Sequence, residues 1–284
     1  MPIISYREAI ASALREELIR DERVFMLGEG IGYGGGAFGV TAGMLAQFGE
    51  RRIRDAPRSD ASLVAVAIGA AMGGLVPVVE MRRAALALVV AGQLLNHPTL
   101  PIVVRAPLGD NGAVASAAIG REICVLAPAS PADAKGMLKS AIRHGTPVIV
   151  LEHRLLYDLS GEVPDDPEYV APLDGARIIR GGAELTIVAY SHAVEESKAG
   201  AAILEDRGVG AELIDLRALV PFDLAVVAGS IAKTGRAIIA GEGHAEPEIA
   251  ASIYSRAFRS LRSPIEIVAP ARASDIVNMA MRLV

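Results

Sequence analysis

The sequence has no tryptophan, one cysteine and only 4% aromatic residues among its 284 positions. Each scarcity excludes something. With Cys124 alone, no internal disulfide can form, which suits a reducing, cytoplasmic setting. So few aromatic rings do not make an aromatic-rich binding surface. A basic excess is also missing: the net charge of −5 argues against a nucleic-acid partner. The N-terminus lacks the basic tip and apolar stretch of a secretory signal. Two uncharged stretches, 61–79 and 84–104, approach the ~20 residues of a membrane span. Gly73, Gly74 and Pro77 break the first, and Asn96, His97, Pro98 and Pro101 interrupt the second. The first is therefore expected to be a helix, a turn and a strand, with no membrane partner.

What is present is a 52% hydrophobic chain, rich enough to bury a sizeable core. Ser5-Tyr-Arg-Glu8 has the form of a capping box, and Ile10, Ala13, Leu14 and Leu18 follow at helical spacing. Short apolar strands are expected at 24–27, 77–80, 101–105, 123–126 and 147–151. Helices at 62–71, 86–95 and 132–143 separate them. A polar, proline-bearing stretch at 160–172 is the linker candidate. Beyond it, strands at 185–190, 211–216, 237–240 and 265–268 alternate with helices at 192–206, 224–232, 248–261 and at the C-terminus. Continuous apolar strands alternating with helices imply parallel sheets covered on both faces. The expectation is an α/β fold of two α/β domains, 1–165 and 173–284.

The glycine-rich run at 28–39 invites a phosphate, since glycine lets backbone amides approach an anion. It has no GK[ST] ending, and Tyr33 stands where GxGxxG needs glycine, so a turn-forming loop is the better reading. Three acids stand out: Glu29 and Glu80 at the ends of expected strands, and Asp60 just before an expected buried helix. Ligands of open parallel sheets bind beyond those ends, and acids gathered there need partners or a function. The alternative for Asp60, which follows Ser59, is a helix cap or first-turn position favoured by the dipole. The five histidines show no zinc spacing, so no metal ligand is expected.

Five segments carry a resemblance in order and approximate spacing. They are LGEGIG with YGGGAFGVTAGMLAQFG (27–49), DAPRSDASLVAVAIGAAMGGLVPVVE (55–80), APASPADAKGMLKSAIRHGTPVIVLEHRLLY (127–157), AELIDLRALVPFD (211–223) and KTGRAIIAGEG (233–243). Together they resemble the beta subunit of the thiamine-diphosphate-dependent decarboxylase of 2-oxo acid dehydrogenase complexes, of the pyruvate, branched-chain and acetoin type. The resemblance implies a pyrimidine-binding thiamine diphosphate domain followed by a transketolase C-terminal-like domain. It implies an alpha subunit that holds the diphosphate and magnesium, a second beta chain, and a lipoyl acyltransferase as acceptor of the acyl group. It places Asp60 where the family has a glutamate that bonds a pyrimidine ring nitrogen, and Leu86 where the family stacks a phenylalanine on that ring. Glu29 and Glu80 join them as cofactor-binding residues. The family's loop histidine has no counterpart in GDNGAVASAAIGR (109–121), and His144 and Thr146 replace the usual residues of a monovalent-cation loop. These departures leave two further readings beside oxidative decarboxylation. One is a catalytically impaired paralogue with a structural role; the other is a split transketolase-type carboligase.

Overall fold

The computed structural model of the chain describes residues 1–56, 59–81, 92–108, 123–243 and 245–284, and within these the side chains of Asp60, Ala61 and Leu108 are left undescribed. The described chain divides into two compact units, the first ending at Leu173 and the second running from Asp174 to Val284.

In the first unit, β1 (Ile3–Ser5) leads into α1 (Tyr6–Arg20). The capping box forms: Glu8 N–H donates to Ser5 Oγ at 3.2 Å, and Ser5 N–H donates to the Glu8 carboxylate at 2.7 Å. The expected apolar positions Ile10, Ala13, Leu14 and Leu18 are all buried. Arg52 closes the other end of α1. Its guanidinium reaches the carbonyls of Leu18, Asp21 and Val24, satisfying acceptors that a helix terminus leaves open.

The main sheet runs in the order β6 (Cys124–Leu126), β7 (Val148–His153), β5 (Val103–Leu108), β4 (Val76–Glu80), β2 (Val24–Gly28) and β3 (Ile53–Asp55). All of these pairings are parallel. The uncharged 61–79 stretch resolves into most of α3 (Asp60–Met72), a turn, and most of β4. No helix among the described residues is long and apolar enough to cross a membrane. The edge strand β3 escaped the sequence reading because Arg54 and Asp55 point outward and only Ile53 is buried.

The expected linker at 160–172 requires correction. β8 (Ser160–Glu162) pairs antiparallel with β1, and the residues after it pack on α4 (Pro131–Arg143). Lys135, Lys139 and Ser140 on α4 donate to the carbonyls of Pro164, Pro167 and Ala171. Lys135 and Lys139 also pair with Glu16 of α1, at 2.7 and 2.5 Å, and Arg143 makes a two-nitrogen bond to Glu17. Its polarity and prolines read as a linker, but its backbone carbonyls are held by α4, while the side chains of 165–168 remain exposed.

The second unit holds a sheet in the order β14 (Glu266–Val268), β13 (Ala237–Ala240), β10 (Leu185–Ala189), β11 (Ala211–Asp215) and β9 (Arg177–Arg180). The first four are mutually parallel and β9 is antiparallel. A short strand, β12 (Ala218–Val220), follows β11. The helices α5 (Ala193–Asp206), α6 (Leu224–Thr234), α7 (Glu246–Ala257) and α8 (Ala273–Leu283) connect the strands. Both units are thus α/β with parallel sheets, as the alternation implied. Of the helix expected at 86–95, most lies outside the described residues.

The closest backbone approach in the strapped region is at Gly136 on α4. A Cβ there would stand 2.7 Å from Ala171 Cβ and 2.8 Å from both Ala171 N and Tyr169. Alanine in a helix is normally ~1 kcal/mol better than glycine. Overpacking of this kind costs ~1–3 kcal/mol. Gly136→Ala is therefore expected to destabilise the protein, seen as a lower urea midpoint at unchanged slope. A stabilised variant would show that the strap does not lie against α4.

Candidate active site

Parallel strands present their carboxyl ends on one edge. In register, Gly28 of β2 lies beside Asp55 of β3 and Glu80 of β4, and Glu80 lies beside Arg105 of β5. β2 lies between β4 and β3, and the loop of 28–41 leaves its carboxyl end.

Two carboxylates hold that loop. Asp55 accepts the N–H groups of Gly32, at 2.8 Å, and Tyr33, at 3.3 Å. Glu80 Oε1 accepts the N–H of Ala37 at 2.6 Å. Between them the backbone turns through Gly30, Gly35 and Gly36, all at positive φ, with Gly36 N–H donating to Gly30 O. A Cβ on Gly36 would lie 2.9 and 3.0 Å from the two Glu80 oxygens, so glycine alone lets the carboxylate in. Thr41 Oγ1 ties the loop's far end to the Ile31 carbonyl at 2.6 Å. The loop expected from the glycines is present, and its anion is the protein's own.

Glu80 is in turn fixed from inside the sheet. Arg105 Nη1 donates to Glu80 Oε2 at 2.9 Å, while its Nε and Nη2 form a fork on Glu152 at 2.7 and 2.8 Å. Tyr157 O–H donates to Glu152 Oε2 at 2.6 Å. Arg105, Glu80 and Glu152 are each no more than 1% exposed. Burial alone would lower the proton affinity of the guanidinium, but the two carboxylates overcome it and keep Arg105 charged. The Tyr157 ring meets Tyr6 edge-on and lies 4.5 Å from the ring of Phe38, which holds a left-handed backbone at φ 54°.

Of the four acids and apolar positions singled out in the sequence, Glu29 directly follows β2 and is half-buried at the mouth of the loop. Glu80 is interior, with both oxygens engaged by Arg105 and Ala37. Asp60 is the first residue of α3, five positions beyond the end of β3. The first-turn reading of Asp60 thus describes its backbone, while Ser59 makes no side-chain capping bond. Its carboxylate and all of Leu86 lie outside what is described, as do 109–121 and His244. His144 is the C-cap of α4, and His153 Nδ1 accepts the N–H of Leu155.

Sequence reasoning missed Asp55, Arg105, Glu152 and Tyr157. A signal existed for two of them. Arg105 and Glu152 sit inside the apolar strands VVRAPL and VIVLEH, where an unpaired charge would be prohibitive.

The donor set at this edge suits the aminopyrimidine of thiamine diphosphate in one respect. An acid at a helix N-terminus keeps its carboxylate form, which accepts a hydrogen bond from a protonated ring nitrogen. Asp60 has that position, and Asp55 and Glu80 are already engaged by the loop.

Replacing Arg105 would leave two carboxylates buried without their cation, a loss of ~3–5 kcal/mol where one partner of a buried pair is removed. Arg105→Met is therefore expected to be poorly folded, with an unfolding free energy in urea titration lowered by that amount; wild-type stability in Arg105→Met would contradict the network. Burial first, and then the Glu152 charge, raise the Tyr157 phenol well above its usual range, and burial and Glu246 do the same for Tyr190. A raised folded-state value means that the stabilisation is complete below the free phenol value of ~10 and is lost as pH rises through the folded value. Absorbance titration should find both phenols protonated until the chain unfolds in alkali. Ionisation of every tyrosine near pH ~10, with the dichroism intact, would refute this.

Comparison with known proteins agrees with the fold. Residues 3–159 match the family model of the transketolase pyrimidine binding domain, and 174–277 that of the transketolase C-terminal domain. The chain is 37% identical to the 2-oxoisovalerate dehydrogenase subunit beta of Bacillus subtilis (strain 168), over 95% of this chain and 90% of that protein. It is also 37% identical to the pyruvate dehydrogenase E1 component subunit beta of Rhizobium meliloti (strain 1021), over 95% of this chain and 64% of that longer protein. A split-gene transketolase solved as an inactive beta4 tetramer superposes with a TM-score of 0.80 at 20% identity, over 99% of this chain and 98% of that one, a likeness of fold. The chain belongs to the transketolase-like family of beta subunits of 2-oxo acid dehydrogenase E1 components.

Proposed function

We propose that this chain supplies the pyrimidine half of a thiamine diphosphate site in a 2-oxo acid decarboxylase that passes its acyl group to lipoyl groups. The observation that carries the proposal is an acid, Asp60, at the N-terminus of α3 inside the segment that matches the pyrimidine binding domain. The cofactor supplies the carbon chemistry of decarboxylation. Asp60 bonds a pyrimidine ring nitrogen and holds the proton there. The loop of 28–41 and Leu86 bound the ring's place, and Glu29 stands at its mouth. A partner alpha subunit holds the diphosphate with magnesium, and a second beta chain and a lipoyl acyltransferase complete the assembly. This proposal is supported by the subunit names of the relatives.

Aspartate is one methylene shorter than the family's glutamate, and a displacement of ~1 Å costs about a hundredfold in rate. Calorimetric titration of thiamine diphosphate and magnesium into the chain co-expressed with its alpha subunit tests this. Asp60→Ala is expected to weaken binding more than about tenfold, one missing charge-assisted bond being worth ~1.5–3 kcal/mol. Asp60→Glu is expected to bind at least as well as wild type and to turn over faster. A folded assembly that binds no cofactor would sink the catalytic proposal and leave a structural paralogue.

A further inference from the structure

We propose that Glu80 is a positioning residue: it does not touch the cofactor, but sets where the loop of 28–41 stands at the catalytic edge. This rests on the proposed reading of the site. Both oxygens of Glu80 are engaged inside the protein. Oε1 is held at 2.6 Å by the Ala37 N–H and Oε2 at 2.9 Å by Arg105, and the residue is 1% exposed. Its contact with the loop is direct, since a Cβ at Gly36 would fall within 3.0 Å of both oxygens.

The connections form a closed circuit around one residue. Glu80 fixes the peptide N–H that precedes Phe38. Arg105 ties Glu80 to Glu152, Glu152 takes the Tyr157 hydroxyl, and the Tyr157 ring stacks 4.5 Å from the Phe38 ring. Phe38 is therefore gripped at its backbone and at its side chain, and this grip holds a non-glycine residue at φ 54°. The ring remains 47% exposed on the loop that leaves β2, the strand between β3 and β4. Asp60 begins α3, which follows β3 in the chain, and Leu86 comes after β4 in the sequence. Asp55 pins the same loop from the other side, through Gly32 and Tyr33. A loop held by carboxylates at both ends keeps one shape as ligands come and go, which is what a site positioned to ~0.5 Å requires.

The test uses the assembly with its alpha subunit and the variants Glu80→Gln and Gly36→Ala. The first keeps shape and removes the charge. The second keeps Glu80 intact and pushes the loop off it. Three quantities are read: amide hydrogen exchange of 28–43, affinity for thiamine diphosphate, and kcat. Both variants are expected to exchange more than tenfold faster in 28–43, with helices of the second unit unchanged, and to lose more than tenfold in kcat. In both, cofactor affinity should fall less than in Asp60→Ala. The double variant should be little worse than either single one, because both break the same contact.

Full kcat despite faster loop exchange would make the contact merely structural and overturn the proposal. So would Glu80→Gln losing the cofactor as completely as Asp60→Ala while the loop stays protected, since Glu80 would then be a direct ligand. A wild-type assembly that binds no cofactor would instead overturn the reading of the site. The exchange measurement would still decide whether Glu80 fixes the loop, and unchanged exchange in both variants would end the proposal.

Discussion

A guanidinium with no access to water can exist in this fold only because two carboxylates meet it. Taking Arg105 out of water costs several kcal/mol even after relaxation, and its attraction to Glu80 and Glu152 offsets that cost only with good geometry. The parallel register provides the geometry. β4, β5 and β7 are consecutive in the sheet, so residues near their carboxyl ends project into one interior layer. Arginine suits the position better than lysine, because its planar fork serves Glu152 with two nitrogens and Glu80 with a third. The trio carries a net charge of −1, and neutral donors meet the excess: the Ala37 amide on one carboxylate and the Tyr157 hydroxyl on the other. The charge cluster thus dictates the loop after β2 and the aromatic contacts beside it, and so reaches the carboxyl edge of the sheet from its centre.

The same logic joins the outer helices of the first unit. Lys139 is fully buried, yet it has Glu16 and the Pro167 carbonyl as partners. Lys135, Lys139 and Arg143 recur every four residues, so one stripe of α4 faces both the acids of α1 and the carbonyls of the strap. Burial works against ionisation of Glu16, but hydrogen bonds from Lys135, Lys139 and Ser12 prevail and hold its carboxyl below the usual range. The second unit adds hydroxyl groups at comparable depth to its buried acids. Thr186, Ser230 and Thr234 share hydroxyl bonds under β10, and Tyr190 donates to Glu246 at 2.7 Å.

How much of this was legible follows from which interactions are local. The capping box at Ser5, the apolar strands and most helix limits depend on neighbours within a few residues, and periodicity exposes them. The sequence also put Asp60 beside a helix start and Glu80 at the end of a strand, where the structure has them. The partner of Glu80 is 25 residues away and that of Arg105 in β7 is 47 away. No spacing in the sequence announces such pairs; only the cost of a charge inside an apolar strand hints at them. The strap at 160–172 was misread for the opposite reason. Its polar, proline-bearing composition suggested a linker, and its acids are exposed, but buried lysines and Ser140 take its carbonyls.

The glycine loop shows why a glycine-rich run alone is weak evidence for a phosphate site. Glycines permit a backbone amide to face an anion closely, but they do not say where the anion comes from. Here a glutamate on the adjacent strand delivers it, and Arg105 prevents that glutamate from leaving. A phosphate competing for Ala37 would have to displace a carboxylate already held by a buried cation, and would be a second anion in a cluster that is negative without it. The requirement for glycine at position 36 is therefore an interior packing requirement, set by the two Glu80 oxygens within 3.0 Å of the missing Cβ. What the loop offers outward is its shape, the exposed ring of Tyr33 and the half-exposed ring of Phe38.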